Sequence, residues 1–134
     1  MGLHFTAENK IELISCGDTN LFFLNSENKV IAFPFSDVAS LDANNNFINT
    51  EQLLENNIDE TFFKSKSIEY KSDDKIIIAT DALSRLILKK PTTLSEILKI
   101  EDFNQLNDFC LKYWEIKELQ EDDISAIIIP AQNS

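Results

Sequence analysis

Histidine, cysteine and positive charge are all scarce in this 134-residue chain, and each scarcity closes a class of function. The single histidine, His4, stands near the N-terminus with no serine or cysteine nucleophile signature beside it. That argues against a His-dependent triad and points to a surface residue. The two cysteines, Cys16 and Cys110, lie far apart in no C-x-x-C spacing, so a disulfide framework and a zinc site both fail on count. Cys16 falls in an apolar stretch and reads as a small buried residue. Twelve Lys and Arg face 23 Asp and Glu, for a net charge of −11. Such a field repels phosphate backbones and anionic membranes, and the small groups Lys64/Lys66/Lys71 and Lys89/Lys90 do not reverse it. No nucleic-acid or membrane partner is therefore expected. No apolar run approaches the length of a membrane span and no secretory segment opens the chain, so the reading is a cytoplasmic protein. The start Met1-Gly2-Leu3-His4-Phe5-Thr6 fits the loose N-myristoylation pattern, but a truncated start would show the same residues.

What is present is ordinary globular material: 43% apolar residues, 10 of them Phe, with no repeat or low-complexity tract. One domain over 1–134 is expected. Ile11 to Ser15 and Leu21 to Leu24 read as strands around Gly17. Lys29 to Phe33 is the hairpin mate across the turn-rich Asn25-Ser-Glu-Asn28. Residues 36–50 read as loop, most polar over Asp42 to Asn46, where Asn stands in for Gly. Ser67 to Lys71 reads as a short strand, Ser72-Asp73-Asp74 as a turn, and Ile76 to Ala79 as a buried strand. Helices are predicted from Asp81 to Lys89, stopped by Pro91, from Thr93 to Ile100 with Thr92 or Thr93 as cap, and from Phe103 to Ile116. In the last, Phe103, Leu106, Phe109, Cys110, Tyr113 and Trp114 form one face, expected to be core.

Two segments carry chemistry. Asp81 falls where the Ile76 strand gives way to a helical pattern, and Asp122-Asp123 immediately precede the apolar run Ile124 to Ile129. A carboxylate at the end of a stiff strand suits a hard cation such as Mg2+ or Mn2+. The same residues have blander explanations. Asp81 is also a good helix N-cap, and Glu118 to Asp123 could be a solvated acidic turn.

Together with the strand Ile11 to Leu24, which carries Gly17-Asp18-Thr19-Asn20, these segments resemble the PP2C-like metal-dependent serine/threonine phosphatases. The family usually writes Ser-Asp-Gly where this chain has Thr80-Asp81-Ala82. A bacterial subgroup with Thr-Asp-Ala-Leu, and with a stretch like Phe33-Pro34-Phe35, is the nearer likeness. The resemblance covers roughly residues 10 to 130. It implies an α+β fold, a layered β-sandwich flanked by helices, of which this chain matches the C-terminal half. It implies Asp81 and Asp122 as metal ligands, Mg2+ or Mn2+ as cofactor, and hydrolysis of phosphoserine or phosphothreonine in a protein substrate. Asp123 occupies a position where the family has Asn. Asp18 is expected to be structural, tying its turn by hydrogen bonds.

The family's centre also takes aspartates from an N-terminal half, including an Asp-Gly motif, and none precedes Gly17. The isolated chain should therefore bind metal weakly and show little activity. The alternative is a non-catalytic, phosphatase-like regulatory or protein-binding module. Half a sandwich should leave a sheet face or strand edge bare, so the isolated chain is expected to self-associate, to pair with a missing half, or to rearrange so as to cover the face carrying Phe22, Leu24 and Ile77.

Overall fold

The computed structural model describes residues 1–44, 51, 54–55 and 60–130. Two antiparallel sheets and a helical layer stack in that order. The first sheet joins β1 (Gly2–Phe5), β2 (Lys10–Ser15) and β5 (Lys64–Glu69) in the order β1-β2-β5. The second joins β3 (Asn20–Leu24), β4 (Val30–Phe33), β6 (Lys75–Ala79) and β7 (Ala126–Ile129) in the order β4-β3-β6-β7. The helices are α1 (Val38–Asp42), α2 (Asp81–Lys89), α3 (Thr93–Ile97) and α4 (Phe103–Glu115), with a 3-10 turn at Glu60–Phe62. This is the α+β sandwich the sequence implied.

The second sheet is apolar on both faces because it is covered on both. Alternation along β3 and β6 sends Leu21, Phe23 and Ile76 toward the first sheet, where they meet Ile11, Leu13 and Ile68. The alternate residues Phe22, Ile77 and Ala79 face the helices and pack with Leu83, Leu86, Ile87, Leu94, Phe109 and Tyr113. Among the described residues, the first sheet is covered on one face only. Its outer face is correspondingly polar, with His4, Glu12 and Ser67 in one cross-strand row.

Phe22 and Ile77 are buried beneath α2 and α4, because the helices that follow β6 fold back over them.

Local chemistry explains the remaining differences. The region read as loop contains α1, five residues held by a reciprocal Asp37–Ser40 capping box; residues 45–50 of that region lie outside those described. The β5 strand begins at Lys64 rather than Ser67. Its Lys- and Ser-rich run reads as polar because it forms an edge, with Lys64 and Lys66 on the face that also holds Ile68. The N-terminal β1 carries too short a pattern to read, and pairs with β2 from Gly2↔Ile14 to Phe5↔Ile11. Asn9 and Asn28 take left-handed backbone (φ 56° and 60°) at the turns after β1 and β3; of the Asn tract expected to play this part, residues 45 and 46 lie outside those described.

On α4 the stripe is core from Phe109 to Tyr113, but Phe103 is 76% exposed, since it sits in the first turn beyond the sheet's cover. The α4 N-cap is Asp102, whose carboxylate accepts from the Gln105 amide. The α3 helix stops at Ile97. Thr92 precedes it without a side-chain cap, and the Thr93 hydroxyl donates back to the Lys90 carbonyl. Cys110 is buried as a small apolar residue, whereas Cys16 is half-buried in the turn that leaves β2.

Candidate metal centre

Register determines what the second sheet's end displays. Asn20 pairs with Ala79 and Ala79 with Ala126, so β3, β6 and β7 are flush at one end. Beyond that end lie Asp18 before β3, Asp81 after β6, and Asp122-Asp123 before β7. The two strands expected to share a sheet do so, and Asp81 and Asp122 lie in the chain just beyond the same end of it.

The link between them is tighter than the register alone requires. The Thr80 amide donates to the Ser125 carbonyl at 3.1 Å, and the Ser125 amide returns a bond to Thr80 Oγ1 at 3.2 Å. Thr80 Oγ1 also lies 3.3 Å from the Asp123 carbonyl and 3.4 Å from that of Ser125. Asp81 and Asp122 are thus each one residue from a bridged pair, Thr80 and Asp123.

Thr80, not Asp81, is the residue before the first turn of α2, and its hydroxyl is spent on the β7 approach rather than on a cap. Asp81 is the first helical residue, half-buried, and its carboxylate is hydrogen-bonded to no described residue. The capping explanation for Asp81 therefore falls away. What remains is a carboxylate at the positive end of a nine-residue helix.

The other side of the site is irregular chain. After α4, Lys117 turns the backbone with φ 58°, and Leu119 re-enters the core. Asp122 is exposed, and one of its oxygens accepts from the Asp123 amide at 2.7 Å, leaving the second open. Asp123 is exposed as well.

Asp18 does not play the structural part expected of it. Its carboxylate is bonded to no described residue, and the turn is held instead by Gly17 at φ 91° and by Asn44 Nδ2 donating to the Gly17 carbonyl. Among the described residues, no group of three or more His, Cys, Asp or Glu side chains is arranged to hold a metal ion. The end of the sheet offers separate carboxylates, not a cage.

Three residues at this end escaped the sequence reading: Thr80 as a bridge, and Arg85 and Gln120 as partners across 35 positions. Thr80 lay inside a segment already singled out. For Arg85 and Gln120 no short-range signal existed.

A larger concavity, about 650 Å³, lies on the outer face of the first sheet, lined by His4, Glu12, Ile14, Ser65 and Ser67 among others. His4 Nδ1 sits 3.3 Å from Glu12 Oε2. The register places Glu12 between His4 and Ser67, so the histidine is not presented to the serine as a base would be. His4 is exposed, as expected of a surface residue.

No family model matches the sequence, and no curated protein does. Solved structures do match. The Mycobacterium tuberculosis serine/threonine phosphatase PstP/Ppp aligns over 98% of this chain at 14% identity with a TM-score of 0.57, using 58% of its own length. The catalytic domain of PstP in complex with two manganese ions gives 0.60 at 14% identity, over 98% of this chain and 57% of its own. PppA, described as a key regulatory component of T6SS in Pseudomonas aeruginosa, gives 0.52 at 15% identity, over 92% and 52%. The chain therefore has the PP2C-like fold, and it spans little more than half the length of these structures.

Proposed function

We propose that this chain is the C-terminal portion of a PP2C-like serine/threonine phosphatase domain, with Asp81 and Asp122 as ligands of a Mg2+ or Mn2+ ion. The observation that supports this most is the Thr80 bridge to Asp123 and Ser125, which fixes the two carboxylate-bearing segments side by side. The donor set suits the ion. Mg2+ is commonly held through one or two carboxylates, with water and substrate phosphate completing its shell. Bound there, the ion would polarise a phosphoryl oxygen and activate water for attack on a phosphomonoester.

The chain's own residues do the holding. Asp81 is fixed by the start of α2, and Asp122 by the anchored approach to β7. Asp123, at a position where the family has Asn, adds a further negative charge at the same end. The substrate would be a phosphorylated serine or threonine of a protein, in the cytoplasm, and the nearer subgroup is the bacterial one.

Two carboxylates do not complete a two-ion centre, so turnover by this chain alone should stay at background. A non-catalytic regulatory or protein-binding module is the second reading, its acidic surface meeting a basic protein. The want of a three-ligand group among the described residues favours it.

Hydrolysis of p-nitrophenyl phosphate with millimolar Mn2+, alongside residue-resolved Mn2+ broadening of amide resonances, tests the proposal. Broadening confined to residues 80–82 and 121–124, lost in both Asp81→Ala and Asp122→Ala, with background turnover, is the expected result. Absence of selective broadening would remove the ligand assignment and leave the module. Metal-dependent turnover abolished by both substitutions would show that further ligands, Asp18 or Asp123, complete a working site.

A further inference from the structure

We propose that Arg85 is a positioning residue for Asp122, acting from α2 on the irregular segment that leads into β7. The inference rests on the metal-site reading above and adds to it a residue whose role nothing in the sequence pattern suggests.

The Arg85 guanidinium spans two elements. Its Nη1 donates to Gln120 Oε1 at 2.6 Å, while Nε, at 3.2 Å, and Nη2 both donate to Asp42 Oδ1 at the end of α1. The side chain is only 17% exposed, so the fork is held rather than waving in solvent. A guanidinium suits this bridge, because its several donors lie in one rigid fork and reach both partners in a fixed geometry.

Gln120 is gripped a second time through its backbone, whose carbonyl accepts from Trp114 Nε1 at 2.9 Å. One residue earlier Leu119 is buried in the core. Downstream, Thr80 holds Asp123 and Ser125. Asp122 is therefore exposed in a two-residue span, Glu121-Asp122, with both flanks anchored to α2 or its entry. Asp81 and Arg85 are one helical turn apart on that same helix. A single rigid element thus carries one carboxylate and the clamp on the other, and this fixes their separation before any ion arrives. Preorganisation of this kind lowers the entropy lost when a ligand set closes on a cation.

The sign of the effect separates positioning from simple electrostatics. Removing Arg85 removes a positive charge near the two carboxylates, which by Coulomb's law alone should tighten cation binding. Loss of positioning should weaken it. The experiment is a per-residue Mn2+ titration of the full chain, read from broadening of the Ala82 and Asp123 amide resonances. Wild type is compared with Arg85→Ala, Gln120→Ala, their double variant, Asp81→Ala and Lys90→Ala.

Arg85→Ala should raise the titration midpoint by about tenfold, in the range typical of residues that orient metal ligands. Gln120→Ala should raise it in the same direction, and the double variant should be no worse than Arg85→Ala, since both remove one interaction. Lys90→Ala also removes a positive charge from the C-cap of α2, the end away from Asp81, and breaks the exposed pair with Glu118 and the contact over the Tyr113 ring; it should not raise the midpoint. Should Arg85→Ala fail to fold, Gln120→Ala, which deletes only an exposed acceptor, carries the same prediction. An unchanged or lower midpoint in Arg85→Ala and Gln120→Ala, with broadening still abolished by Asp81→Ala, overturns the positioning role and leaves the metal site intact. A wild-type spectrum without selective broadening overturns both, and is recognised before any variant is made.

Discussion

Asn20 and Phe35, fifteen residues apart, form a closed pair: Asn20 Nδ2 donates to the Phe35 carbonyl, and the Phe35 amide donates to Asn20 Oδ1, both at 3.0 Å. The carboxamide is fully buried at the first position of β3, and it satisfies the backbone just after the Phe33-Pro34 corner. The Gly-Asp-Thr-Asn strand and the Phe-Pro-Phe stretch, singled out separately in the sequence, are thereby joined.

Asn20→Ala would leave a buried N–H and a buried carbonyl unpaired. The expected loss is about 2–6 kcal/mol, since each such group costs roughly 1–3 kcal/mol. Urea unfolding reads it directly. A loss well under 1 kcal/mol would mean that water reaches the corner and replaces the side chain.

The two glycines should lose stability to alanine by different routes. Gly17 has φ 91°, and a Cβ built there meets nothing within 4 Å, so the cost is purely conformational, about 1–2 kcal/mol. Gly2 has an ordinary backbone, and its Cβ would meet Ile14 Cγ2 at 2.9 Å. That atom is a methyl on the branched Cβ of Ile14, the direct cross-strand partner, and its χ1 is stiff, so Gly2→Ala should also cost about 1 kcal/mol, by steric displacement of β1 from β2. A Gly2→Ala variant as stable as wild type in thermal unfolding would show that the edge strand shifts freely.

On α4, Phe109→Ala should cost roughly 3–5 kcal/mol, as expected for emptying a buried aromatic site, and Phe103→Ala no more than about 0.5 kcal/mol. The contrast shows where sequence reading stops. Helical periodicity identified the stripe correctly, because packing on the sheet demands it. It could not say where along the helix the sheet's cover ends. The same limit applied at β5, where the polar edge residues Lys64 to Lys66 hid the start of a strand read from Ser67, and at β1, four residues identified only by their pairing partner. The carboxylates at the strand ends were legible because a β-prone run adjoining Asp is a local pattern. The contacts that fix them, Thr80 to Ser125 and Arg85 to Gln120, join residues 45 and 35 positions apart, and no window along the chain contains both members.

Acid stability should depend on Glu96. Hydrogen bonds from Lys112 Nζ at 2.8 Å and from the Tyr113 hydroxyl at 2.7 Å hold its carboxyl below the ordinary glutamate value of 4.5. A folded-state value depressed in this way contributes stability that is fully present above pH 4.5 and is lost as pH falls through the folded value. At the other extreme, burial and the Glu96 bond raise the Tyr113 phenol above 10.0, and Glu96 raises the Lys112 ammonium above 10.5. Their contributions are present below those values and fade as pH climbs past them. Glu96→Gln cannot titrate and keeps an acceptor for only one of the two partners, since Lys112 and Tyr113 donate to different carboxylate oxygens. Its unfolding free energy should therefore fall less steeply than wild type below pH 4.5, and the two curves should run parallel from pH 6 to 8, which is about as far as carboxylate titration leaves stability flat. Because the carboxylate is largely solvated the difference will be small, and chemical denaturation at closely spaced pH values is the measurement that resolves it. Curves that stay parallel down to pH 3 would show that Glu96 contributes nothing to acid stability, whatever its hydrogen bonds.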